Sequence, residues 1–340
     1  MSHQPDSEPV KDLGLFSQHV GWTFADPSVM PVAERPEAWE QIHSHQNVLD
    51  NVEIEHERFS RGGSAAIYKG ILKADDTRNI QVVVKCYAAI HEQGKSRVEA
   101  YEKAAQLIAR EVKVWRNLNH PNIVRFYGLV MGNTFPWNTS FVPVEPQYPA
   151  VVCAFCDGGK VMEYLQKNSE ARRLPLVLDA AQGYVYLHKY NIAHGDVKPD
   201  NILVKTTTDG VRAVVSDFGS SRMIDEADFP GTLSYTWPYI APEIKKPPYL
   251  YTKATDVFCF ALTALVIISG VQIFAEEEDR FIARHRLELG ERPKRDDHES
   301  SEMSDEVWKL LEESWVQEAD GRKSMADVAS TLSNLLSANN

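Results

Sequence analysis

Residues 257–274 read VFCFALTALVIISGVQIF, 18 residues that are nearly all apolar. A helix that is apolar on every face has two homes, the hydrocarbon of a membrane or the centre of a protein body thick enough to surround it. This run is at the lower edge of a membrane span, begins directly after Asp256, and has neither a basic flank nor an aromatic interfacial belt. The run alone leaves both homes open, and the chemistry-bearing segments around it favour the central helix of a large domain over a membrane span. The chain, with 340 residues of which 43% are hydrophobic, is long enough to wrap such a helix. Its formal net charge of −12 argues against general nucleic-acid affinity, which needs clustered Lys and Arg. The four cysteines, Cys86, Cys153, Cys156 and Cys259, form no regular framework. Cys153-x-x-Cys156 has no second Cys/His pair to complete a zinc site, so it reads as two small residues at a strand end. A reducing, cytoplasmic setting follows from this, and Met1–Val10 carries no apolar signal-peptide core.

Residues 1–53 are punctuated by Pro5, Pro9, Pro27, Pro31 and Pro36 and read as an irregular N-terminal extension, with Trp22, Phe24 and Trp39 as candidate docking residues. From about residue 54 β-branched runs appear, Ile67-Tyr68 and Ile80–Cys86, bounded by Gly or Asp/Asn clusters. Lys95–Leu118 has the three- and four-residue apolar spacing of a helix, through Val98, Tyr101, Ala105, Ile108, Val112 and Trp115. Ile123–Val130 and Ala150–Phe155 read as strands, joined by an exposed loop over Met131–Pro149. Beyond Gly158-Gly159 the pattern is mainly helical, with helices predicted over 160–168, 176–190, 256–269, 279–287, 305–315 and 324–336. A small β-rich part followed by a larger helical part is an α+β arrangement.

Several short segments carry chemistry. Residues 194–201 are His-Gly-Asp-Val-Lys-Pro-Asp-Asn, and Asp217-Phe218-Gly219 follows, preceded by the apolar run Val211–Val215. Upstream, Val82-Val83-Val84-Lys85 ends a strand, and Glu111 lies in the next helix, with Glu102 also nearby. Residues 60–68 are Ser-Arg-Gly-Gly-Ser-Ala-Ala-Ile-Tyr, and downstream stand Ala241-Pro242-Glu243, Asp256 and Arg322. Taken singly, each is an ordinary turn or strand end. Taken in order, they resemble the motifs of the eukaryotic protein kinase superfamily, over about residues 54–338.

The resemblance implies a bilobal protein-kinase-like fold, with an N-lobe over about 54–155 and a C-lobe over about 157–338. It implies transfer of the γ-phosphoryl group of ATP, with Mg²⁺, to a protein hydroxyl. Asp196 would accept the substrate proton and Lys198 would balance charge in the transition state. Asn201 and Asp217 would hold the metal, and hard oxygen donors suit that ion. Lys85, paired with Glu111, would meet the α- and β-phosphates. Ser60, Gly62, Ala65 and Ile67 would cover the nucleotide, and Val83, Cys153, Ala154, Cys156 and Leu203 would line the base, with Cys153 gating the space behind it. Glu243 would pair with Arg322. Lys198 and Thr236 are similar to serine/threonine enzymes, and Trp315 ahead of Arg322 to the tyrosine-kinase-like group, including fungal members with His-Gly-Asp loops.

Two departures from the family pattern have consequences. Only Gly62 of the three loop glycines is kept, Ser60 and Ala65 replacing the others, and Val83 adds bulk where Ala is common. A pseudokinase, acting as a scaffold or allosteric partner, is therefore the alternative reading. Gly195 replaces the arginine that in many members meets an activation-loop phosphate. No cation beside Asp196 waits for a phosphate, so loop phosphorylation is not expected to be required, although Ser220, Ser221, Thr232, Ser234 and Thr236 could accept one.

Overall fold

Strand alternation and helical periodicity sort the chain into two compact units in a computed structural model. The structure describes residues 49–61, 65–74, 77–87, 106, 108–130, 150–224, 238–245, 251–277 and 279–338. Gly62, Glu102, Thr232, Ser234, Thr236, the 131–149 connection, most of the extension and the first part of the 95–118 helix lie outside the described residues.

The first unit holds residues up to Arg116 together with Phe126–Phe155. Its antiparallel sheet comprises β1 (Val52–Arg61), β2 (Ala65–Lys73), β3 (Asn79–Tyr87), β4 (Phe126–Val130) and β5 (Ala150–Ala154), in the order β1-β2-β3-β5-β4. The period of two gives the sheet two unlike faces. Tyr68, Leu72, Val82, Val84, Cys86 and Val152 pack into one buried cluster. The residues between them, Ile67, Lys69, Val83 and Lys85, are only half-buried and form an open face. Helix α1, through residues 108–115, buries Ile108, Val112 and Trp115, and the Trp115 ring lies 5.7 Å from Phe126.

The second unit holds Asn117–Arg125 and the chain from Cys156 onward. Residues 117–125 thus fold with the helical part although they precede β4 in sequence. The reason is backbone pairing: Val124 N donates to Val215 O at 2.9 Å and Val215 N to Asn122 O at 2.8 Å. The unit's helices are α2 (Val161–Lys167), α3 (Arg173–Lys189), α4 (Lys253–Ser269), α5 (Arg280–Glu288), α6 (Asp305–Ser314) and α7 (Met325–Ala338). A small sheet of β6 (Gly159–Lys160), β8 (Ile202–Thr207) and β9 (Gly210–Val215) and a ribbon of β7 (Ile192–Ala193) with β10 (Arg222–Met223) complete it.

The apolar run forms α4, which buries every residue from Thr255 to Ile268. A capping box between Thr252 and Thr255 starts it and Gly270, at φ 80°, ends it, so the apolar stretch beyond Ser269 turns back instead of extending the helix. No described helix is long and apolar enough to cross a membrane. α3 begins at Arg173, three residues before the expected 176. Its N-terminus has no side-chain cap of its own; the amides of Arg173 and Leu174 donate instead to the two carboxylate oxygens of Glu302, at 2.7 and 3.0 Å. A cap supplied from so far along the chain leaves no local signal.

Candidate active site

Two ladders bring the polar loops together. Ala193 of β7 faces Arg222 of β10, and Ile202 of β8 faces Val215 of β9. The loops 194–201 and 216–221 are therefore stitched side by side at both ends. Ser216 N and Oγ both donate to Asn201 O, at 2.9 and 3.0 Å, which sets Asp217 beside Asn201. Ser221 Oγ donates to His194 O at 3.0 Å.

Within the first loop Lys198 Nζ donates to Asp196 Oδ2 at 2.6 Å, and Asn201 Nδ2 to the same oxygen at 2.9 Å and to Asp196 O at 2.8 Å. Both side-chain contacts fall on Oδ2, so Oδ1 is the oxygen placed to receive a proton. Asn201 commits its amide nitrogen to Asp196, so its amide oxygen is the atom left for a cation. Asp217 adopts the left-handed backbone conformation, φ 63° and ψ 82°, a strained choice for a residue with a side chain. Among the described residues no three or more His, Cys, Asp or Glu side chains cluster as a metal site. Asp217 and Asn201 nevertheless suit Mg²⁺, which usually keeps its waters and substrate phosphates and takes only one or two carboxylates from the protein.

The loop rests on buried groups. Asp256, at the N-terminal end of α4 and 1% exposed, accepts from the amides of His194 (2.8 Å) and Gly195 (3.0 Å) and contacts His188 Nε2 at 2.9 Å. His194 accepts at Nδ1 from Asp196 N (3.3 Å), so its Nε2 donates to Ser216 O (3.0 Å). Its ring stands edge-on between Phe218 and Tyr184, at 5.5 Å from each, and Tyr184 meets Phe260 of α4 at 5.7 Å. Burial pushes the Tyr184 hydroxyl well above its ordinary range. Gly195 has φ +78°, and a Cβ there would come within 2.8 Å of Ser220 O. Glycine fits this bend without strain or collision.

In the first unit Lys85 Nζ lies 2.9 Å from Glu111 Oε1 and 3.3 Å from Oε2, with 15% and 1% of the two side chains exposed. The expected strand–helix pair is formed. Lys85 faces Ile67 across β2 and Val83 faces Cys153 across β5, so these residues share the open face; Ala154 faces Val82. Ser60 is exposed opposite Ile67, and Ala65 is buried opposite Tyr87. In the second unit Leu203 sits half-buried on β8, facing Val214, and Cys156 is buried. None of the four cysteines is in a disulfide, and burial pushes the Cys86 and Cys156 thiols up to about 12. Thiols held so firmly neutral are poor metal ligands or redox partners.

Glu243 and Arg322 meet in a two-pronged pair, Nη1 to Oε1 at 2.6 Å and Nη2 to Oε2 at 2.8 Å. Sequence reasoning placed Asp256 only at the start of the central helix and missed its hold on the loop, the signal for which was a carboxylate abutting an apolar run. Such a charge must be buried and so must have partners.

Comparison with known proteins agrees with this geometry. The family model for the protein kinase domain matches residues 55–332. The human serine/threonine-protein kinase TNNI3K is 30% identical over 239 residues, which cover 67% of this chain and 25% of that protein. The probable serine/threonine-protein kinase gdt8 of Dictyostelium discoideum is 28% identical over 253 residues, 74% of this chain and 17% of that protein. Gdt4 of the same organism is 29% identical over 257 residues, 73% of this chain and 14% of the relative. The chain thus spans a quarter or less of the length of these curated relatives. With its motifs in order, a β-sheet unit followed by a helical one, and a family match over most of its length, this chain belongs to the protein kinase domain family.

Proposed function

We propose that this chain is a serine/threonine protein kinase that uses Mg·ATP and a protein hydroxyl acceptor. The observation that carries the reading is the cluster at Asp196, in which Lys198 and Asn201 both hold Oδ2 and leave Oδ1 for a proton. Asp196 would take the proton of an incoming hydroxyl at Oδ1 and aim its oxygen. Lys198, beside it, would offset negative charge that grows on the transferring group. Asn201 and Asp217 would hold Mg²⁺, which when bound neutralises phosphate charge. Lys85, fixed by Glu111, would meet the phosphates, and Ser60, Gly62, Ala65, Ile67, Val83, Cys153, Ala154, Cys156 and Leu203 would contact the nucleotide. The domain bounds that go with this reading are an extension over 1–53 and a kinase domain over 54–338. Four buried cysteines outside any disulfide accord with a reducing cytoplasmic setting.

The competing reading, a catalytically silent scaffold of the same fold, is favoured by Ser60 and Ala65 in place of loop glycines. A transfer assay with γ-labelled ATP and a mixed protein substrate, followed by phosphoamino-acid analysis, separates the two. Label on serine or threonine that requires Mg²⁺, and is lost in Asp217→Ala together with Mg²⁺-dependent nucleotide binding, supports the kinase. Nucleotide binding without transfer, or none at all, favours the scaffold.

A further inference from the structure

Three side chains at one end of the first unit's open face make a cluster that the nucleotide reading does not use. Lys69 Nζ stands 4.4 Å above the centroid of the Phe59 ring and 5.0 Å above that of Phe155, and the two rings meet edge to face at 6.0 Å. Among the described residues no carboxylate pairs with Lys69, so the rings are its partners. Phe59 is 52% exposed, so its ring meets water as well as the ammonium.

The placement follows from the ladders. Lys69 faces Val83, and Val83 faces Cys153, so the ammonium lies on the same face as Lys85, two residues nearer the other end of the strand. Phe155 follows β5 directly and its amide donates to Gln81 O. Phe59 is out of step with its strand. Arg58 faces Tyr68 and Ser60 faces Ile67, so two steps along β1 oppose one along β2, and Phe59 is the extra residue of a β-bulge. Bulges re-aim a side chain and loosen the local ladder. This one lies near the end of β1, at whose junction with β2 Ser60 and Ala65 stand in place of the expected glycines.

We infer that Phe59, Lys69 and Phe155 form a cation–π clasp that ties β1 to β2 and to the end of β5, with Lys69 as the positioning residue. The inference rests on the nucleotide-binding reading. The clasp replaces ladder bonds lost at the bulge with attraction between an ammonium and two ring faces. Its role is to hold Phe59 and the end of β1 in place on the open face, so that the nucleotide does not have to order them on binding.

Lys69→Met keeps the aliphatic stem and removes the charge, whereas Lys69→Arg keeps a cation able to lie on both rings. Two measurements on the full chain test the clasp: amide hydrogen exchange over residues 57–61 and 65–69 without nucleotide, and calorimetric affinity for Mg·ADP. Exchange several-fold faster in Lys69→Met than in wild type, with Mg·ADP affinity weaker by about threefold to tenfold and both restored in Lys69→Arg, is the expected result. Equal exchange in all three proteins overturns the clasp. Faster exchange with unchanged Mg·ADP affinity overturns its role in nucleotide binding. Wild-type protein that binds no Mg·ADP overturns the proposed function itself, a failure distinct from agreement among the three.

Discussion

The Arg322 guanidinium and the Lys85 ammonium are each paired with a glutamate, and their surroundings differ. Arg322 is 0% exposed at its side chain, and every N–H it carries is bound: Glu243 takes two, and the carbonyls of Val316, Ala254 and Gln317 take the others. The Phe258 ring lies 4.8 Å beneath it. Nothing further can be asked of this group. Lys85 also meets a buried glutamate, but it stands on the open face of the sheet with 15% of its side chain exposed, and its ammonium lies 5.1 Å from the centroid of the Tyr87 ring. The saturated pair locks one arrangement of the helical unit. The half-open pair holds a cation where it can meet an anion as well. Nearby Arg292 shows how expensive the first solution is: burial and the neighbouring Arg322 pull its ionisation down to about 10, and carbonyls and an amide oxygen are its partners.

If this contrast is right, substitutions separate into those that stop chemistry and those that unmake the fold. The largest effect belongs to Asp196→Asn, which should lower transfer by ~10²–10⁴-fold while thermal stability and nucleotide affinity stay near wild type. Wild-type turnover in that protein would remove Asp196 from the chemistry. Next comes Arg322→Met, which strands Glu243 and should cost ~3–5 kcal/mol of stability in denaturant titration. Transfer per folded molecule should hold. Lys85→Met should do the reverse, lowering transfer by ~10²-fold with a smaller stability loss than Arg322→Met: Glu111, left buried without the ammonium, can take up a proton, whereas Arg322→Met also strands the carbonyls of Val316, Ala254 and Gln317. Equal stability losses in the two variants would erase the distinction between the pairs.

The smallest effect tests Gly195. Its positive φ and the nearness of Ser220 O leave this bend to glycine, and no arginine beside Asp196 needs an activation-loop phosphate. Phosphatase treatment, with loss of loop phosphate confirmed by mass spectrometry, should change transfer to an exogenous substrate by less than about tenfold, or ~1.4 kcal/mol. A larger drop would mean that another cation has taken over the role, with Arg222, itself half-buried over Tyr251, as the first to examine.

What could be read in advance follows the range of the forces involved. His194–Asn201 and Asp217–Gly219 are contiguous, so the sequence displays them whole, and the central helix announced itself by 14 successive residues that end up buried. The Lys85–Glu111 pair was legible only through family resemblance, because nothing local links strand to helix across a separation of 26 residues. Three things were hidden. The start of α3 depends on Glu302, 128 residues away from Leu174. The membership of residues 117–125 depends on bonds to Val215. Phe59 departs from strand alternation at a bulge, and a period of two predicts the wrong face for an extra residue.

The hold of Asp256 on the amides of His194 and Gly195 also bears on how this protein comes apart. Loops usually open alone, at little cost, while the core stays closed. Here the acceptor for two loop amides sits at the mouth of the most deeply buried helix, itself 1% exposed, so those amides cannot be released to water without disturbing that helix. The bend that carries Asp196 therefore melts with the core of its unit rather than before it, and a chain that has kept its central helix has kept that bend.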